Sequence, residues 1–398
     1  MIVKLENAKI KGEIKAIPSK SYAHRIAICN FLAGNVPSGG CVGFTSKDIT
    51  ATEDCLKSVL DKNYTVDCGE SGSTLRFLLP LFSALGGEFT LIGHGKLMQR
   101  PNDELFAVLK DHGIAVEKTD VIKISGKLSA GDFRVRGDIS SQYISGLLMA
   151  LPILDGDSKI ILSTPMVSAS YVDITLEVLS AYGIKIEKTD YGFFVKGNQE
   201  YIGKVASEGD WSNSAFFLVL GAVAGEITVT GLNNASVQGD RTIIDILRLA
   251  GATVKQEKDT VTVTKNNLKG FSFDAENCPD LVPIAAALAA NAEGETTIKS
   301  VERLKIKESD RIESTIAFLS SFGIKAQFNG RDLIINGGKT KGGIVDGYND
   351  HRIVMSAAVM AAVAIGESQI IGAEAVEKSY PTFFADYKVV GGKAVNGN

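Results

Sequence analysis

The sequence predicts an α/β fold of α+β repeats, with six copies of one small module arranged as two bodies of three. Three observations carry this. A glycine follows each apolar helix-like run, at Gly87, Gly156, Gly225, Gly294 and Gly366, spaced 69, 69, 69 and 72 residues apart. A second series, Gly113, Gly183, Gly251, Gly323 and Gly392, is spaced 70, 68, 72 and 69. Within a period the apolar pattern switches between helical and alternating. Self-similarity at a fixed period marks an architecture made from one supersecondary unit.

One module is readable between positions 140 and 208. Ser140–Leu154 has helical apolar spacing, and small hydroxyl residues at its front suit an N-cap. Lys159–Leu162 is a short apolar strand, and 163–171 is a loop. A second helix over Val172–Tyr182 ends at Gly183, a C′ position. Ile184–Glu187 and Gly192–Lys196 alternate as a strand pair. Matching helices start near Ser19, Ser71, Ser140, Ser212, Pro279 and Asp350. The first module is short, with 52 residues between Ser19 and Ser71. The sixth stops after Gly392, before its strand pair. Residues 2–16 resemble the pair around Val121–Val135, so the N-terminus is expected to supply the missing hairpin. The bodies are then 18–208, and 1–17 with 209–398. Crossings near 17–20 and 207–210 suit a hinge beside a ligand cleft. The alternative is one rigid solenoid of six modules.

Bulk composition narrows the function. Hydrophobic content of 45% and charged content of 22% over 398 residues are ordinary for a globular protein. No apolar run is long enough to span a bilayer, and the N-terminus does not read as a signal peptide. A cytoplasmic protein is expected. A net charge of −4 attracts neither nucleic acid nor membrane. The five cysteines are odd in number and lack CxxC spacing, which suits reduced thiols. The four histidines form no metal-binding pattern, so no metal is expected.

Unusual residues recur at two places per module. Helix fronts carry Pro-Ser-Lys-Ser (18–21) with Arg25, Ser-Gly-Ser (71–73) with Arg76, Ser-Ser-Gln (140–142), Pro-Asp (279–280) and Asn-Asp-His-Arg (349–352). Backbone N–H groups at a helix start favour anions. Capping alone explains a serine there, but not a cation that opposes the dipole. The second place is a loop 12 or 13 residues past the first glycine series, at Arg100, Ser168, Gln238, Lys307 and Lys378. Alone, Lys-Glu-Ser-Asp-Arg (307–311) reads equally as a solvated charge run. Its phase match to Arg100 and Lys378 favours a site. Lys20, Arg25, Arg76, Arg100, Lys307, Arg311, Arg352 and Lys378, against the carboxylates Asp280 and Glu308, imply small polyanionic substrates and proton transfer. Gly-Gly-Lys-Thr-Lys-Gly-Gly (337–343) lacks phosphate-loop spacing and reads as a hairpin turn.

At PSKSYAHR (18–25), SGSTLRF (71–77), QRP (99–101), SSQY (140–143), EGDWSNSAFF (208–217), QGDR (238–241), KESDR (307–311), NDHR (349–352) and EKSYP (377–381) the sequence resembles the 5-enolpyruvylshikimate-3-phosphate synthase family. These motifs run in order along the whole chain. The resemblance implies two globules, each of three βαβαββ units in an inside-out α/β barrel. It implies transfer of the enolpyruvyl group of phosphoenolpyruvate to the 5-hydroxyl of shikimate 3-phosphate, with loss of phosphate and no cofactor. It places shikimate 3-phosphate with Lys20, Ser21, Arg25, Ser140, Ser141, Gln142, Ser168, Asp280 and Lys307. It places phosphoenolpyruvate with Lys20, Gly72, Arg100, Gln142, Arg311, Arg352 and Lys378. Asp280 would accept the hydroxyl proton, Glu308 would protonate the methylene carbon, and Lys20 is a further proton-transfer candidate. A monomer is the family default, and glyphosate is the inhibitor it implies. Glu70, Ser71, Phe77 and Arg303 depart from the commonest family pattern, the first three beside the glyphosate pocket.

Two rivals stand beside this. The sister UDP-N-acetylglucosamine enolpyruvyl transferases usually carry a Cys in the loop equivalent to His94–Arg100, which here reads HGKLMQR. A non-catalytic anion-binding module has no need of Asp280 and Glu308.

Overall fold

The computed structural model describes residues 1–41 and 43–397. The chain forms two compact units, one of Pro18–Ser207 and one of Met1–Ile17 with Glu208–Asn398. The strands and helices begin with β1 (Ile2–Glu6), β2 (Ile10–Lys15), α1 (Lys20–Leu32), α2 (Lys47–Leu60), β3 (Thr65–Asp67), α3 (Gly72–Leu85), β4 (Gly87–Ile92), α4 (Asp103–Asp111), β5 (Ile114–Lys118) and β6 (Ile122–Gly126). Next come β7 (Asp132–Val135), α5 (Ser141–Ala150), β8 (Ser158–Leu162), α6 (Ala169–Ala181), β9 (Ile186–Thr189) and β10 (Gly192–Val195). The other unit continues with α7 (Trp211–Ala224), β11 (Gly225–Thr230), α8 (Ile243–Leu249), β12 (Thr253–Glu257), β13 (Thr260–Thr264), β14 (Ser272–Asp274), α9 (Val282–Ala290), β15 (Glu295–Lys299) and α10 (Arg311–Ser321). It ends with β16 (Lys325–Phe328), β17 (Leu333–Asn336), β18 (Ile344–Asp346), α11 (His351–Ala361), β19 (Ser368–Ile371), α12 (Phe383–Val389) and β20 (Lys393–Gly397).

Among the described residues there are five four-stranded sheets, and all share one plan. Their orders are β3-β4-β6-β5, β7-β8-β10-β9, β2-β11-β13-β12, β14-β15-β17-β16 and β18-β19-β1-β20. The first two strands of each are parallel and the rest antiparallel. A helix crosses between the parallel strands, as parallel pairing requires. This is the βαβαββ module, and the structure has the α/β class that the repeat predicts. The short first module contributes α1 and α2, and β3 follows them directly.

Helix composition decides which side faces in. In α9 the sequence VPIAAALAA is buried at every position, and α7 is buried from Trp211 to Val223 except at Ser212. A helix that is apolar all round belongs in the interior. The first helices of the modules, α3 and α5 in one unit and α7, α9 and α11 in the other, form the cores, with α1 beside α5. Each fully buried Leu or Phe there contributes roughly 1.5–3 kcal/mol. Sheets lie outside these helices, which is the inside-out arrangement.

Three expectations are corrected. Residues 2–16 are not a hairpin. β1 sits between β19 and β20, with Ile2 opposite Ile371 and Gly397, whereas β2 runs parallel to β11 in the neighbouring sheet. The stretch around Val121–Val135 divides in the same way, between β6 and β7. Alternation marks a strand but does not name its neighbour. The linker after β1 turns out of its sheet, where Ala8 N–H donates to Ala362 O at 3.0 Å. The glycine-rich 337–343 stretch is likewise no hairpin turn, because it links β17 to β18 in a different sheet. Gly338 N–H donates to Ala290 O at the end of α9. The last member of the second glycine series is Gly391, whose φ of +95° supplies the left-handed residue after α12, not Gly392.

Candidate active site

Each unit carries its own cluster of the predicted residues. In the Pro18–Ser207 unit, Lys20 is the first residue of α1, and its Nζ lies 2.8 Å from Asp48 Oδ2 on α2. One turn on, Arg25 is 2% exposed. Its Nε donates to Thr175 Oγ1 at 2.6 Å, and Nη1 donates to Ser21 O at 2.7 Å. Its Nη2 donates to Tyr171 O at 2.8 Å and to Ser145 Oγ at 3.3 Å. These four acceptors are neutral. The guanidinium also lies 4.9 Å from the Phe77 ring centre. Burial with no paired carboxylate pulls the Arg25 pKa down to about 10. A buried charge normally has a counter-charge, and the acceptors of Arg25 supply none.

The fronts of α3 and α5 interlock. Ser71 caps α3 by accepting from Thr74 N–H at 3.2 Å, and Ser140 caps α5 by accepting from Gln142 N–H at 3.3 Å. Arg76 Nη1 donates to Gln142 Oε1 at 2.7 Å, Nε donates to Asn102 Oδ1 at 2.9 Å, and Nη2 donates to Pro101 O at 3.1 Å. Gln142 Nε2 in turn donates to Ser73 Oγ at 2.9 Å. Arg76 therefore orients Gln142. Gly72 faces Arg100, and a Cβ at this position would lie 2.6 Å from Arg100 Nη1. Any larger residue would push that guanidinium aside. Ser141 opens α5, and Ser168 precedes α6 with a left-handed φ of 54°. Such a conformation in a serine stores strain, which concentrates at functional positions.

In the other unit, Arg311 at the start of α10 is 1% exposed and gathers three carboxylates. Its Nη1 donates to Asp280 Oδ1 at 2.7 Å, its Nη2 to Glu308 Oε2 at 2.6 Å, and its Nε to Asp350 Oδ2 at 2.8 Å. Burial alone would lower the Arg311 pKa, but Asp350, Glu308 and Asp280 hold it well above the usual value. Arg352 Nη2 donates to Asp280 Oδ2 at 3.0 Å, and Lys307 Nζ lies 3.6 Å from Asp280 Oδ1. Lys378 Nζ donates to Asn349 O at 2.8 Å. Asn349 and Tyr348 both have φ of 51°. That turn places Asp350 as the cap of α11, where its Oδ1 accepts from Arg352 N–H at 3.0 Å. Asp240 is buried, and its carboxyl is pushed up to about 6 by burial first and by Asp280 second.

The expected shortage of acids is corrected in this cluster. Lys307, Arg311, Arg352 and Lys378 are matched by Asp240, Asp280, Glu308 and Asp350. In the Pro18–Ser207 unit Lys20 has Asp48, whereas Arg25 has only neutral acceptors. Sequence reasoning missed Asp48, Asp240 and Asp350 as partners. Asp240 and Asp350 stand inside QGDR and NDHR, so their motifs held the signal. Asp48 lies 28 residues from Lys20 and had none.

Comparison with known proteins meets this geometry. The family described as EPSP synthase (3-phosphoshikimate 1-carboxyvinyltransferase) matches residues 39–387. The chain belongs to the EPSP synthase family. A 3-phosphoshikimate 1-carboxyvinyltransferase of Clostridium kluyveri is 41% identical, covering 98% of this chain and 97% of the relative. One of Clostridium novyi is 40% identical over the same shares. A solved EPSP synthase of Acinetobacter baumannii superposes with a TM-score of 0.80 at 23% identity, covering 99% of this chain and 100% of that one. The last likeness speaks for the fold. In this member of the EPSP synthase family Asp280 and Glu308 both accept from one buried arginine, Arg311.

Proposed function

We propose that this chain transfers the enolpyruvyl group of phosphoenolpyruvate to the 5-hydroxyl of shikimate 3-phosphate and releases phosphate, a step of aromatic amino acid biosynthesis. The observation that carries the reading is Arg25, a buried guanidinium bonded to neutral acceptors one turn from Lys20. In this reading Lys20, Ser21, Arg25, Ser140, Ser141, Gln142, Ser168, Asp280 and Lys307 hold shikimate 3-phosphate. Lys20, Gly72, Arg100, Gln142, Arg311, Arg352 and Lys378 hold phosphoenolpyruvate.

The chemistry follows from charge. The 5-oxygen bonds to C2 of phosphoenolpyruvate as its proton passes to Asp280 and Glu308 delivers a proton to C3. The tetrahedral intermediate then loses a C3 proton and expels phosphate, giving the enol ether. Cations that bind phosphate stabilise the departing group, and losing one slows turnover by roughly 10²–10³. Arg311 has four of its five N–H groups on carboxylates. It therefore sets the two acids as well as facing substrate. Lys20 is the further proton carrier.

The crossings at 17–20 and 207–210 are proposed as hinges. The proposed setting is the cytoplasm and the proposed working form a monomer. No helix among the described residues is long and apolar enough to cross a membrane.

A phosphate-release assay with purified protein, phosphoenolpyruvate and one acceptor at a time tests the proposal. Release with shikimate 3-phosphate alone is expected. Release with UDP-N-acetylglucosamine and none with shikimate 3-phosphate would overturn it.

A further inference from the structure

Behind the cation cluster of the Pro18–Ser207 unit runs a buried chain of hydrogen bonds that the reaction as described does not use. It starts at His24 on α1, which is 1% exposed. His24 Nδ1 lies 2.7 Å from Thr52 Oγ1 on α2, and Thr52 Oγ1 lies 2.6 Å from Thr74 Oγ1 on α3. Thr74 Oγ1 donates to Ser71 Oγ at 2.8 Å. Thr52, Thr74 and Ser71 are all buried. With Thr74 giving its proton to Ser71, Thr52 gives its own to Thr74. His24 Nδ1–H then donates to Thr52. The ring is neutral, because burial first and the charges of Lys20 and Arg25 next hold its pKa well below the usual value. Its Nε2 has no hydrogen-bond partner among the described residues.

A polar ring with one unsatisfied nitrogen destabilises a core, and an apolar side chain of similar volume would fit better on stability alone. The chain's far end explains what it does instead. Ser71 is the cap directly before Gly72, whose backbone faces Arg100. Thr74 also approaches Asp48 O at 3.4 Å, and Asp48 holds Lys20. One rigid polar line therefore spans α1, α2 and α3 and ends on the groups assigned to phosphoenolpyruvate.

We propose that His24 is a positioning residue for phosphoenolpyruvate, acting through Thr52, Thr74 and Ser71 to set Gly72 against Arg100. This rests on the role proposed above for Gly72 and Arg100. The line ends at Ser71 beside Gly72, which is assigned to phosphoenolpyruvate alone. It reaches Lys20, shared by both substrates, only through the longer contact to Asp48 O, so its larger effect falls on phosphoenolpyruvate. Steady-state kinetics of wild type, His24→Leu, His24→Asn, Thr52→Val and Thr74→Val test it. The Leu and Val variants should raise the KM for phosphoenolpyruvate about tenfold, with that for shikimate 3-phosphate within about twofold. His24→Asn, which restores a donor near Nδ1, should recover most of the loss. Thr52→Val is isosteric and guards against simple misfolding. Unchanged KM values, or equal rises for both substrates that track a lower melting temperature and are not rescued by Asn, would overturn the proposal. Wild-type protein inactive with shikimate 3-phosphate would instead sink the functional reading itself, whereas an active wild type with indifferent variants would sink only the role of His24.

Discussion

Arg25 and Arg311 are both buried, yet their partners assign them opposite tasks. Arg25 meets only neutral oxygens, which supports its proposed role in holding the anionic substrate. Arg311 pairs with Asp280, Glu308 and Asp350, so it holds in place the two acids proposed to move protons. Arg25→Lys should therefore raise the KM for shikimate 3-phosphate at least tenfold with a smaller change for phosphoenolpyruvate, since an ammonium lacks the planar fork. Glu308→Gln should bind both substrates, measured by calorimetry, while turnover falls about 10²–10⁴-fold. Near-normal turnover would remove its role as proton donor. Asp240 gives a pH prediction. Its folded pKa of about 6 exceeds the unfolded carboxylate value near 3.9. The neutral form is thus favoured on folding. That stabilisation is full below about pH 4 and is lost as pH rises through about 6, a change of at most about 3 kcal/mol. Asp240→Asn stays neutral throughout, so its melting temperature should match wild type at pH 4 and exceed it at pH 7.5. Parallel curves would contradict this.

At the scale of elements, what was legible in the sequence and what was not have separate physical causes. The inner helices were legible because they are apolar all round and begin at small or acidic caps such as Ser71, Ser140 and Asp350. Strands were legible as strands, but their partners were not. Alternation says which face is buried and leaves the neighbouring strand open, so β1 and β2 read as a hairpin although they serve two sheets. The cations of the site were legible from their phase in the repeat. Their carboxylate partners were harder to read. Asp240 and Asp350 stand inside motifs but meet their cations only where separate modules pack, and Asp48 comes from the helix after that of Lys20 with no motif to mark it. The position of β1 carries a prediction. It is an interior strand, paired on both sides with β19 and β20. Deleting residues 1–6 should abolish cooperative unfolding of the unit formed by Met1–Ile17 and Glu208–Asn398. A truncated protein with an unchanged melting curve would contradict that placement. A cap is a smaller matter. Asp210 Oδ1 accepts from Asn213 N–H at 2.7 Å at the front of α7, and Asp210→Ala should cost about 1–2 kcal/mol in urea unfolding.

At the scale of the whole molecule, the period of about 70 residues orders chemistry as well as architecture. Arg100, Lys307 and Lys378 occupy one loop position of the module, and Lys20, Gly72, Ser141, Asp280 and His351 lie near one helix front. The same two places of the module recur in both compact units, one unit holding Arg25 on neutral acceptors and the other holding Asp280 and Glu308 on Arg311. If the crossings at 17–20 and 207–210 are hinges, X-ray scattering should show a smaller radius of gyration with both substrates than with neither, and an unchanged radius would count against them. The central claim is a specific bond, formed between the 5-oxygen of shikimate 3-phosphate and C2 of phosphoenolpyruvate. Mass spectrometry and NMR of the product after incubation with both substrates test it most directly. The expected product carries one enolpyruvyl ether on the 5-oxygen with one phosphate released per ether, whereas phosphate with free pyruvate and no ether, or no turnover, would contradict it.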